Sequence, residues 1–492
     1  MKILITGATG VMGLSTLEAL KDSDVEIRAF CLDNPKELRK LKPYKNRIEI
    51  FKGDASNYND IYNSMDGIDE VLHLASIIPP RSEEIPKIAF KVNYLSTKNI
   101  VDAIIQRKMQ DTCKFVYISS VSVYGDRQAP IHWGRVGDPI HVSYDDYYGL
   151  SKIASERYLI ESPLKYWAIL RQTGIISPFM LSQRSSLIFH QPLNNALEYI
   201  SDRDSARLMK DIVLKANDEF WNHIYNIGGG KGLRLPSFLL YKKAFGSLGF
   251  KNYITKLDPK LFAIRNFHGM YYMDSDKLEK MFDYVQDDAS YISECTKKYT
   301  MGFDALIRAI MRFPPIQALA EFIFKNQFKM LSLSKGGPLK AIRDNVRADI
   351  QKFFIDKKHW ENLPRFFTES KIDYDKIIRL DHGYDDTKPE SEIDINDIIS
   401  AAKFRGGDCL SSTMAKGDMR TKLRFVCADG HEFDASPKLV LEGGHWCPYC
   451  EKNEWNPAHI ARINPFFAQV WDPINDSNPD LIIKKIINPY QF

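Results

Sequence analysis

The chain has 492 residues, 44% of them hydrophobic and 26% charged, which is typical of a globular protein too long for one core. A formal net charge of +4 excludes a bulk attraction to nucleic acid or membrane but not a local basic patch, and no apolar stretch is long enough to span a bilayer. Of seven cysteines, three are scattered and four lie near the C-terminus, which favours reduced cytoplasm and one metal site over a disulfide framework.

The first third of the chain alternates short apolar runs with helical stretches. This alternation, up to about residue 175, predicts a parallel sheet with crossover helices. The predicted strands are residues 2–6, 26–31, 48–52, 70–74, 114–119 and 167–170, and the predicted helices include residues 14–21 and 97–106.

A glycine-rich loop, residues 7–13, directly follows the first predicted strand and opens a helix. Glycines let backbone approach a pyrophosphate, and a helix N-terminus offers it free N–H groups. A tight turn that binds nothing is the alternative. The predicted dinucleotide-binding residues of this loop are Gly7, Thr9, Gly10, Val11, Met12 and Gly13.

Asp33, after the second predicted strand, is placed to accept hydrogen bonds from the adenosine ribose. No arginine at position 32 or 34 is available for a 2′-phosphate, which favours NAD. Arg28 or Lys36 within reach would leave NADP open.

Two segments carry the predicted chemistry. Ser120 lies at the end of a strand, and Tyr148 and Lys152 lie four residues apart, on one face of a predicted helix. A cation beside a phenol lowers the pKa of that phenol, so Tyr148 can exchange a proton while a bound cofactor exchanges a hydride. Ser120 would hold the substrate oxygen. A solvated helix face is the alternative for the tyrosine and lysine.

The glycine loop, followed along the chain by Ser120 and then by Tyr148 and Lys152, resembles the pattern of the extended short-chain dehydrogenase/reductase family. This family contains NAD-dependent epimerases and dehydratases. The resemblance covers about residues 1–300. It implies the same catalytic residues, with Tyr148 and Lys152 also touching the cofactor, and a homodimer paired through helices beside the site. It also implies five further cofactor-binding residues: Asp54, Ala55, Leu74, Ala75 and Asn93.

The chain departs from the family pattern in two places. Sugar-nucleotide 4,6-dehydratases carry an Asp-Glu pair where this chain has Val121 and Ser122, so water elimination of that type is not expected. Related epimerases place an asparagine on the substrate diphosphate where this chain has Gly174, which weakens the nucleotide-sugar interpretation.

The C-terminal cysteines form a metal-ligand pattern. Cys427 and His431, then Cys447 and Cys450, give C-x3-H, fifteen residues and C-x2-C, which predicts a structural, four-ligand zinc site. His445 is a substitute ligand, and Cys409 is expected to be buried elsewhere. The module resembles treble-clef or zinc-ribbon modules. Four cations precede it, for which a solvated strand is favoured over a nucleic-acid surface: Lys416, Arg420, Lys422 and Arg424.

The predicted fold is α/β: a Rossmann doubly wound parallel sheet with a smaller substrate-binding part, an α-rich region and a small zinc-binding module. The predicted domains are residues 1–312, with the substrate part mainly in 175–300, then a basic helical region and acidic linker in 313–400, and the zinc module and tail in 401–492. The linker is placed at residues 381–394.

The leading hypothesis is a cytoplasmic NAD(P)-dependent oxidoreductase acting on an alcohol or ketone of a small molecule, with no membrane partner. An NAD-dependent sugar or sugar-nucleotide epimerase is the alternative within enzymes. A third hypothesis, from another class, is a dinucleotide-sensing protein whose zinc module contacts nucleic acid or a protein partner.

Overall fold

The computed structural model describes residues 1–182, 184–250, 252–453 and 457–475. Sixteen strands lie in these ranges. In chain order they are Lys2–Thr6 (β1), Glu26–Cys31 (β2), Ile48–Lys52 (β3), Glu70–His73 (β4), Lys114–Ser120 (β5), Trp133–Gly134 (β6), Tyr166–Gln172 (β7), Ile175–Ile176 (β8), Ala196–Glu198 (β9), Ile200–Ser201 (β10), His223–Ile227 (β11), Arg234–Pro236 (β12), Tyr271–Tyr272 (β13), Asp408–Cys409 (β14), Leu423–Val426 (β15) and Glu432–Ala435 (β16).

Twenty α-helices lie in the same ranges. They are Val11–Leu20 (α1), Pro35–Leu41 (α2), Tyr58–Ser64 (α3), Arg81–Glu84 (α4), Pro86–Gln106 (α5), Tyr147–Ile160 (α6), Pro178–Ser182 (α7), Asp202–Lys215 (α8), Ser237–Ser247 (α9), Asp276–Phe282 (α10), Tyr291–Tyr299 (α11), Asp304–Ile310 (α12), Pro314–Ser332 (α13), Pro338–Asp344 (α14), Arg347–Phe354 (α15), Lys357–Glu361 (α16), Ile395–Phe404 (α17), Pro448–Asn453 (α18), Pro457–Ile463 (α19) and Pro465–Trp471 (α20). A π-helical turn spans Lys438–Glu442. No helix in the described ranges is long and apolar enough to cross a membrane.

Seven strands form one parallel sheet in the order β11-β7-β5-β4-β1-β2-β3. The chain runs outward from β1 in both directions, so β1 and β4 meet at a topological switch point, where open α/β sheets bind ligands beyond the carboxyl ends of their strands. Helices α1 and α8 pack together, as do α5 and α6, and apolar cores lie on both faces. This arrangement confirms the predicted Rossmann fold.

The six predicted strands are all present, with small differences at their ends. The seventh strand, β11, is an addition to this prediction, and three glycines follow it at residues 228–230. Helix α1 begins at Val11, within the glycine loop and three residues earlier than expected, because the Leu14 amide donates to the Gly10 carbonyl at 2.9 Å. The N–H groups of its first turn therefore lie at the loop itself.

The C-terminal part is joined to the sheet by a shared core. Apolar residues of α17 and of the antiparallel sheet β14-β15-β16 pack with Leu159, Ile160 and Trp167, so one core crosses the boundary predicted after residue 400. The predicted linker also packs against the protein. His382 is 2% exposed and its Nε2 lies 2.9 Å from Asp138 Oδ1, so this acidic segment is docked.

Candidate active site

Strand β5 and helix α6 bring the three predicted catalytic residues together. Asp146 caps α6 by accepting a hydrogen bond from the Gly149 amide at 2.7 Å, which fixes the start of the helix at Tyr147. The Lys152 ammonium donates to the Ile118 carbonyl of β5 at 2.8 Å and lies 5.5 Å from the centre of the Tyr148 ring.

The pKa shifts of the pair have one main cause, burial. Burial lowers the pKa of Lys152 to about 7, although the Glu156 carboxylate opposes the shift. Burial raises the pKa of Tyr148 to about 12, and a hydrogen bond with Ser120 opposes that rise. The charge of Lys152 therefore changes near neutral pH, directly beside the phenol. The pKa of Lys152 thus lies close to working pH, whereas burial moves the pKa of Tyr148 away from it, opposite to the lowering expected from the neighbouring cation.

The glycine loop is too tightly packed for side chains. Gly7 has φ +69°, and a Cβ there would lie 2.6 Å from the Ala75 nitrogen. A Cβ on Gly13 would lie 2.3 Å from the Gly7 carbonyl oxygen. Among the described residues no side chain caps α1 at Gly10, so its first N–H groups face the end of the sheet. Backbone and helix N-terminus together make a cradle suited to a pyrophosphate.

On the adenosine side, Asp33 lies exposed at the end of β2, with a carboxylate oxygen 3.0 Å from the Lys52 ammonium. Arg28, considered for a 2′-phosphate, is buried and donates to the Ser64 and Asp66 carbonyls at 2.6 and 2.9 Å. Its guanidinium is therefore committed elsewhere, which strengthens the preference for NAD. Asp54 folds back onto Ser56, whose amide and hydroxyl both donate to it at 2.8 Å, and Ala55 is buried beside it.

The segment after β4 is tied to α6. Leu74 and Ala75 lie beside the glycine loop, where their amides reach the Thr6 carbonyl and hydroxyl at 3.2 and 3.4 Å. Asn93 accepts from the Ile77 amide at 2.7 Å and donates to the Ser151 hydroxyl at 3.1 Å. Asn93 thus joins the loop to the helix that carries Tyr148 and Lys152.

Sequence reasoning missed a buried ion cluster behind the predicted triad. Arg171 donates to both oxygens of Glu156, at 3.1 and 2.7 Å, and Glu156 also accepts from the Ser119 hydroxyl. The same guanidinium donates to the Gly443 carbonyl of the C-terminal module at 2.7 Å. The four-residue separation of Lys152 and Glu156 on α6 was a sequence signal for part of this cluster. No sequence pattern indicates the bond between Arg171 and Gly443, which are 272 residues apart.

The four predicted metal ligands converge. Ligand atoms of Cys427, His431, Cys447 and Cys450 all lie within 4.8 Å of one another. Two of the thiol sulfurs, those of Cys427 and Cys450, lie 3.4 and 3.5 Å from His431 Nδ1. This set of donors suits a tetrahedral zinc ion.

His445, considered as a substitute ligand, lies outside the cluster. It is fully buried, with Nε2 3.5 Å from a carboxylate oxygen of Glu156. Cys409 is buried elsewhere, as expected, and its sulfur lies 3.7 Å from the Ser411 carbonyl.

Three of the four cations before the first ligand make contacts within the chain. Arg420 donates to the carbonyls of Ser162 and Leu164 at 3.1 and 2.8 Å, and Lys422 pairs with Glu161 at 3.0 Å. Arg424 pairs with two acids of β16. These contacts hold the module against the end of α6 and leave little of this strand for nucleic acid.

Comparison with known proteins agrees with this geometry. Residues 3–228 match the model of the NAD dependent epimerase/dehydratase family. A mouse (Mus musculus) 3 beta-hydroxysteroid dehydrogenase type 7 is 28% identical over 186 residues, covering 35% of this chain and 49% of the relative. UDP-glucose 4-epimerase of Rickettsia canadensis is 32% identical over 114 residues, 22% of this chain and 33% of the relative.

Among solved structures, the dTDP-glucose 4,6-dehydratase DesIV of Streptomyces venezuelae, with NAD and TYD bound, has a TM-score of 0.49 and 18% identity, covering 62% of this chain and 98% of that one. The chain spans about half the length, or less, of the curated relatives it matches. The epimerase/dehydratase region, residues 3–228, contains the glycine loop and all three predicted catalytic residues.

Proposed function

We propose that this chain is an NAD(P)-dependent oxidoreductase that moves a hydride between a nicotinamide and an alcohol or ketone carbon of a small molecule. One observation carries the proposal: the buried ammonium of Lys152 lies beside Tyr148, which is hydrogen-bonded to Ser120, at the end of the sheet where the glycine loop opens. The epimerase/dehydratase match and the dehydrogenases among the relatives support it.

In this proposal each side chain has one task. Ser120 holds the substrate oxygen in line, and the Tyr148 hydroxyl gives a proton to that oxygen or takes one from it. Lys152, held to β5 by the Ile118 carbonyl, supplies a positive charge that stabilises the phenolate. The nicotinamide, when bound, supplies the hydride chemistry.

The cofactor is proposed to be NAD. The glycine cradle and uncapped helix N-terminus fit its pyrophosphate, and Asp33 is proposed to accept hydrogen bonds from the ribose hydroxyls. The burial of Arg28 removes one candidate for a 2′-phosphate. Asp54, Ala55, Leu74, Ala75 and Asn93 remain proposed contacts of the cofactor.

An oxidoreductase is favoured over a nucleotide-sugar epimerase by the surroundings of Gly174. Gly174 offers no side chain to a diphosphate, and a Cβ there would lie 3.0 Å from Leu197 and 3.1 Å from the Tyr199 ring, so a larger residue would require both side chains to shift. An NAD-dependent sugar or sugar-nucleotide epimerase stays the second candidate, supported by the UDP-glucose 4-epimerases among the relatives. Net consumption of NADH separates the two, because an epimerase returns its hydride.

The Cys427, His431, Cys447 and Cys450 cluster is proposed to hold a structural zinc ion within a module resembling treble clefs. Four protein ligands would fill the coordination shell, so this ion has no open position for a substrate.

The domain boundaries at residues 312 and 400, the homodimer and the cytoplasmic location stay predictions.

The test of the proposed function is Tyr148→Phe, with Tyr147→Phe on the same helix as the matched control. We expect Tyr148→Phe to lower kcat by about 10²–10⁴-fold, because the proton donor is lost, and to leave the NAD-induced rise of the melting temperature intact. Tyr147→Phe should keep both. Full turnover by Tyr148→Phe would disprove the mechanism, and no thermal shift with NAD, NADH, NADP or NADPH would disprove the cofactor site.

A further inference from the structure

A band of exposed apolar side chains lies between residues 301 and 330, in the helical region C-terminal to the part of the chain that matches the family model. It lies on α12, on α13 and on the turns beside them. Leu319, Phe322 and Met330 of α13 are 60%, 64% and 69% exposed. The exposed members of this apolar band are Met301, Phe303, Leu306, Ile310, Phe313, Ile316, Leu319, Phe322, Ile323 and Met330.

The other face of α13 already has its partner. Ala320, Phe324, Phe328 and Leu331 recur at helical spacing and pack on a core that includes Phe189. The exposed positions are therefore an additional apolar surface on a helix that is already anchored. Scattered exposed apolar residues are ordinary on a protein surface, but a concentration on two consecutive helices marks a surface that binds something.

The charge around the apolar band indicates what it binds. Residues 297–335, from the end of α11 to the turn after α13, contain seven lysines and arginines against two acids, a formal charge of +5, whereas the whole chain carries +4. Both acids are neutralised, Asp304 by Arg308 at 2.7 Å and Glu321 by Lys256 at 2.7 Å. In the part of the chain that the structure describes, the other six cations form no ion pair: Lys297, Lys298, Arg312, Lys325, Lys329 and Lys335.

We propose that α12 and α13 attach this protein to an anionic lipid surface, with the apolar band in the headgroup region and the six unpaired cations on lipid phosphates. Aromatic and aliphatic side chains beside lysine and arginine are the pattern of helices that lie in a membrane interface. A second copy of the chain is a poorer occupant, because it would place one face of charge +5 against another. This attachment requires no spanning helix and was not foreseen from the net charge of +4, which averages the segment with the rest of the chain.

The test is flotation of the full-length protein with vesicles of phosphatidylcholine alone or with 30% phosphatidylserine added (roughly the anionic share used to mimic a charged leaflet). We expect binding to the anionic vesicles, weak binding to the neutral ones, and release in about 1 M salt, where the Debye length falls to about 3 Å. Lys325→Gln with Lys329→Gln should weaken partitioning about 25-fold, since each cation near the surface contributes about fivefold.

Matched variants test whether vesicle binding depends on the apolar band or on any exposed apolar residue. Leu319→Asp with Phe322→Asp should abolish flotation, while Ile377→Asp with Leu410→Asp, also exposed apolar residues, should not. Lys357→Gln with Lys358→Gln is the control for charge. Melting temperature and NAD binding report on folding. If the aspartate pair fails to fold, the Lys325 and Lys329 pair carries the test.

Three outcomes would overturn the proposal. The first is no flotation with either vesicle. The second is flotation that all the variants retain. The third is a concentration-dependent dimer in sedimentation that Leu319→Asp with Phe322→Asp disrupts, without vesicle binding, which would assign the band to a second copy.

Discussion

The candidate active site around Tyr148 and the C-terminal Cys/His cluster differ in whether their polar groups are available to a ligand. We call the first the open group and the second the closed group. At the end of the parallel sheet, Tyr148 is only half-buried and the N–H groups of α1 have no capping side chain among the described residues. In the C-terminal module, the four predicted ligands point at one another within 4.8 Å. A site that reacts with a small molecule must keep donors available, whereas a site that supports a fold uses its donors internally.

The two groups are nevertheless mechanically joined. Arg157 of α6 donates to the Trp446 carbonyl at 2.7 Å and pairs with Glu451 at 3.2 Å, on either side of the second ligand pair. Arg171, which holds Glu156 of the same helix, also holds the Gly443 carbonyl. The module therefore braces the helix that carries Tyr148 and Lys152.

The largest expected effect tests whether the closed group, the C-terminal Cys/His cluster, binds a metal ion. Cys447→Ser should lose one bound zinc per chain and unfold the module, because structural zinc contributes about 10–16 kcal/mol to the folding of small zinc-binding peptides. Zinc content by elemental analysis and the melting temperature measure this. Since the module braces α6, turnover should fall together with the zinc.

Cys409→Ser is the matched control, because Cys409 is buried in the same module but lies outside the cluster. It should keep the zinc and lower stability only slightly. If Cys447→Ser kept the metal content of the unaltered protein, the cluster would not be the zinc site, and the contrast between an open and a closed group would lose its basis.

The sequence was sufficient where the signal is local. Strand spacing, the glycine loop and the four-residue separation of Tyr148 and Lys152 each depend on neighbouring residues, so the parallel sheet and the meeting of Ser120, Tyr148 and Lys152 could be predicted. The convergence of the four predicted metal ligands could be predicted for the same reason, since two short pairs would have to close on one ion.

Contacts between distant segments could not be predicted. Arg171 and Gly443 are separated by 272 residues, and no periodicity links them. The predicted linker was inferred from its acidic composition, but Asp386 within it pairs with Arg135 at 2.5 Å and the buried His382 lies 2.9 Å from Asp138. The apolar band on α13 looked like an ordinary helical pattern, because a sequence does not tell which of two apolar faces is covered.

The next largest effect concerns the open group, where Lys152 makes the stability of the folded protein depend on pH. The pKa of Lys152 is about 7 in the folded protein, below its ordinary value of 10.5. Between these values the unfolded chain binds a proton that the folded chain does not, so stability rises with pH across this window, by about 1.4 kcal/mol per pH unit for this group. Relative to Lys152→Met, the unaltered protein should gain stability from pH 7 upward and show no trend below pH 7.

Urea unfolding at several pH values measures this difference, with Lys87→Met on the exposed side of α5 as the control that should show no such trend. Parallel curves for the unaltered protein and Lys152→Met would mean that Lys152 keeps its ordinary pKa. The open group would then lack the tuned cation that distinguishes it from the closed one.

The smallest expected effect concerns Gly174, the position at which related epimerases place a diphosphate-binding asparagine. Gly174→Ala adds one methyl group 3.0 Å from Leu197 and 3.1 Å from Tyr199, and forcing such a contact costs about 1–3 kcal/mol. Gly246→Ala is the matched control, since its Cβ would meet nothing within 4 Å and alanine favours its helix. We expect the melting temperature to fall for Gly174→Ala and to stay or rise for Gly246→Ala. If both variants were equally stable, Tyr199 could move aside, space for a diphosphate-binding side chain would exist beside Gly174, and the nucleotide-sugar epimerase would regain the support that this crowding removes.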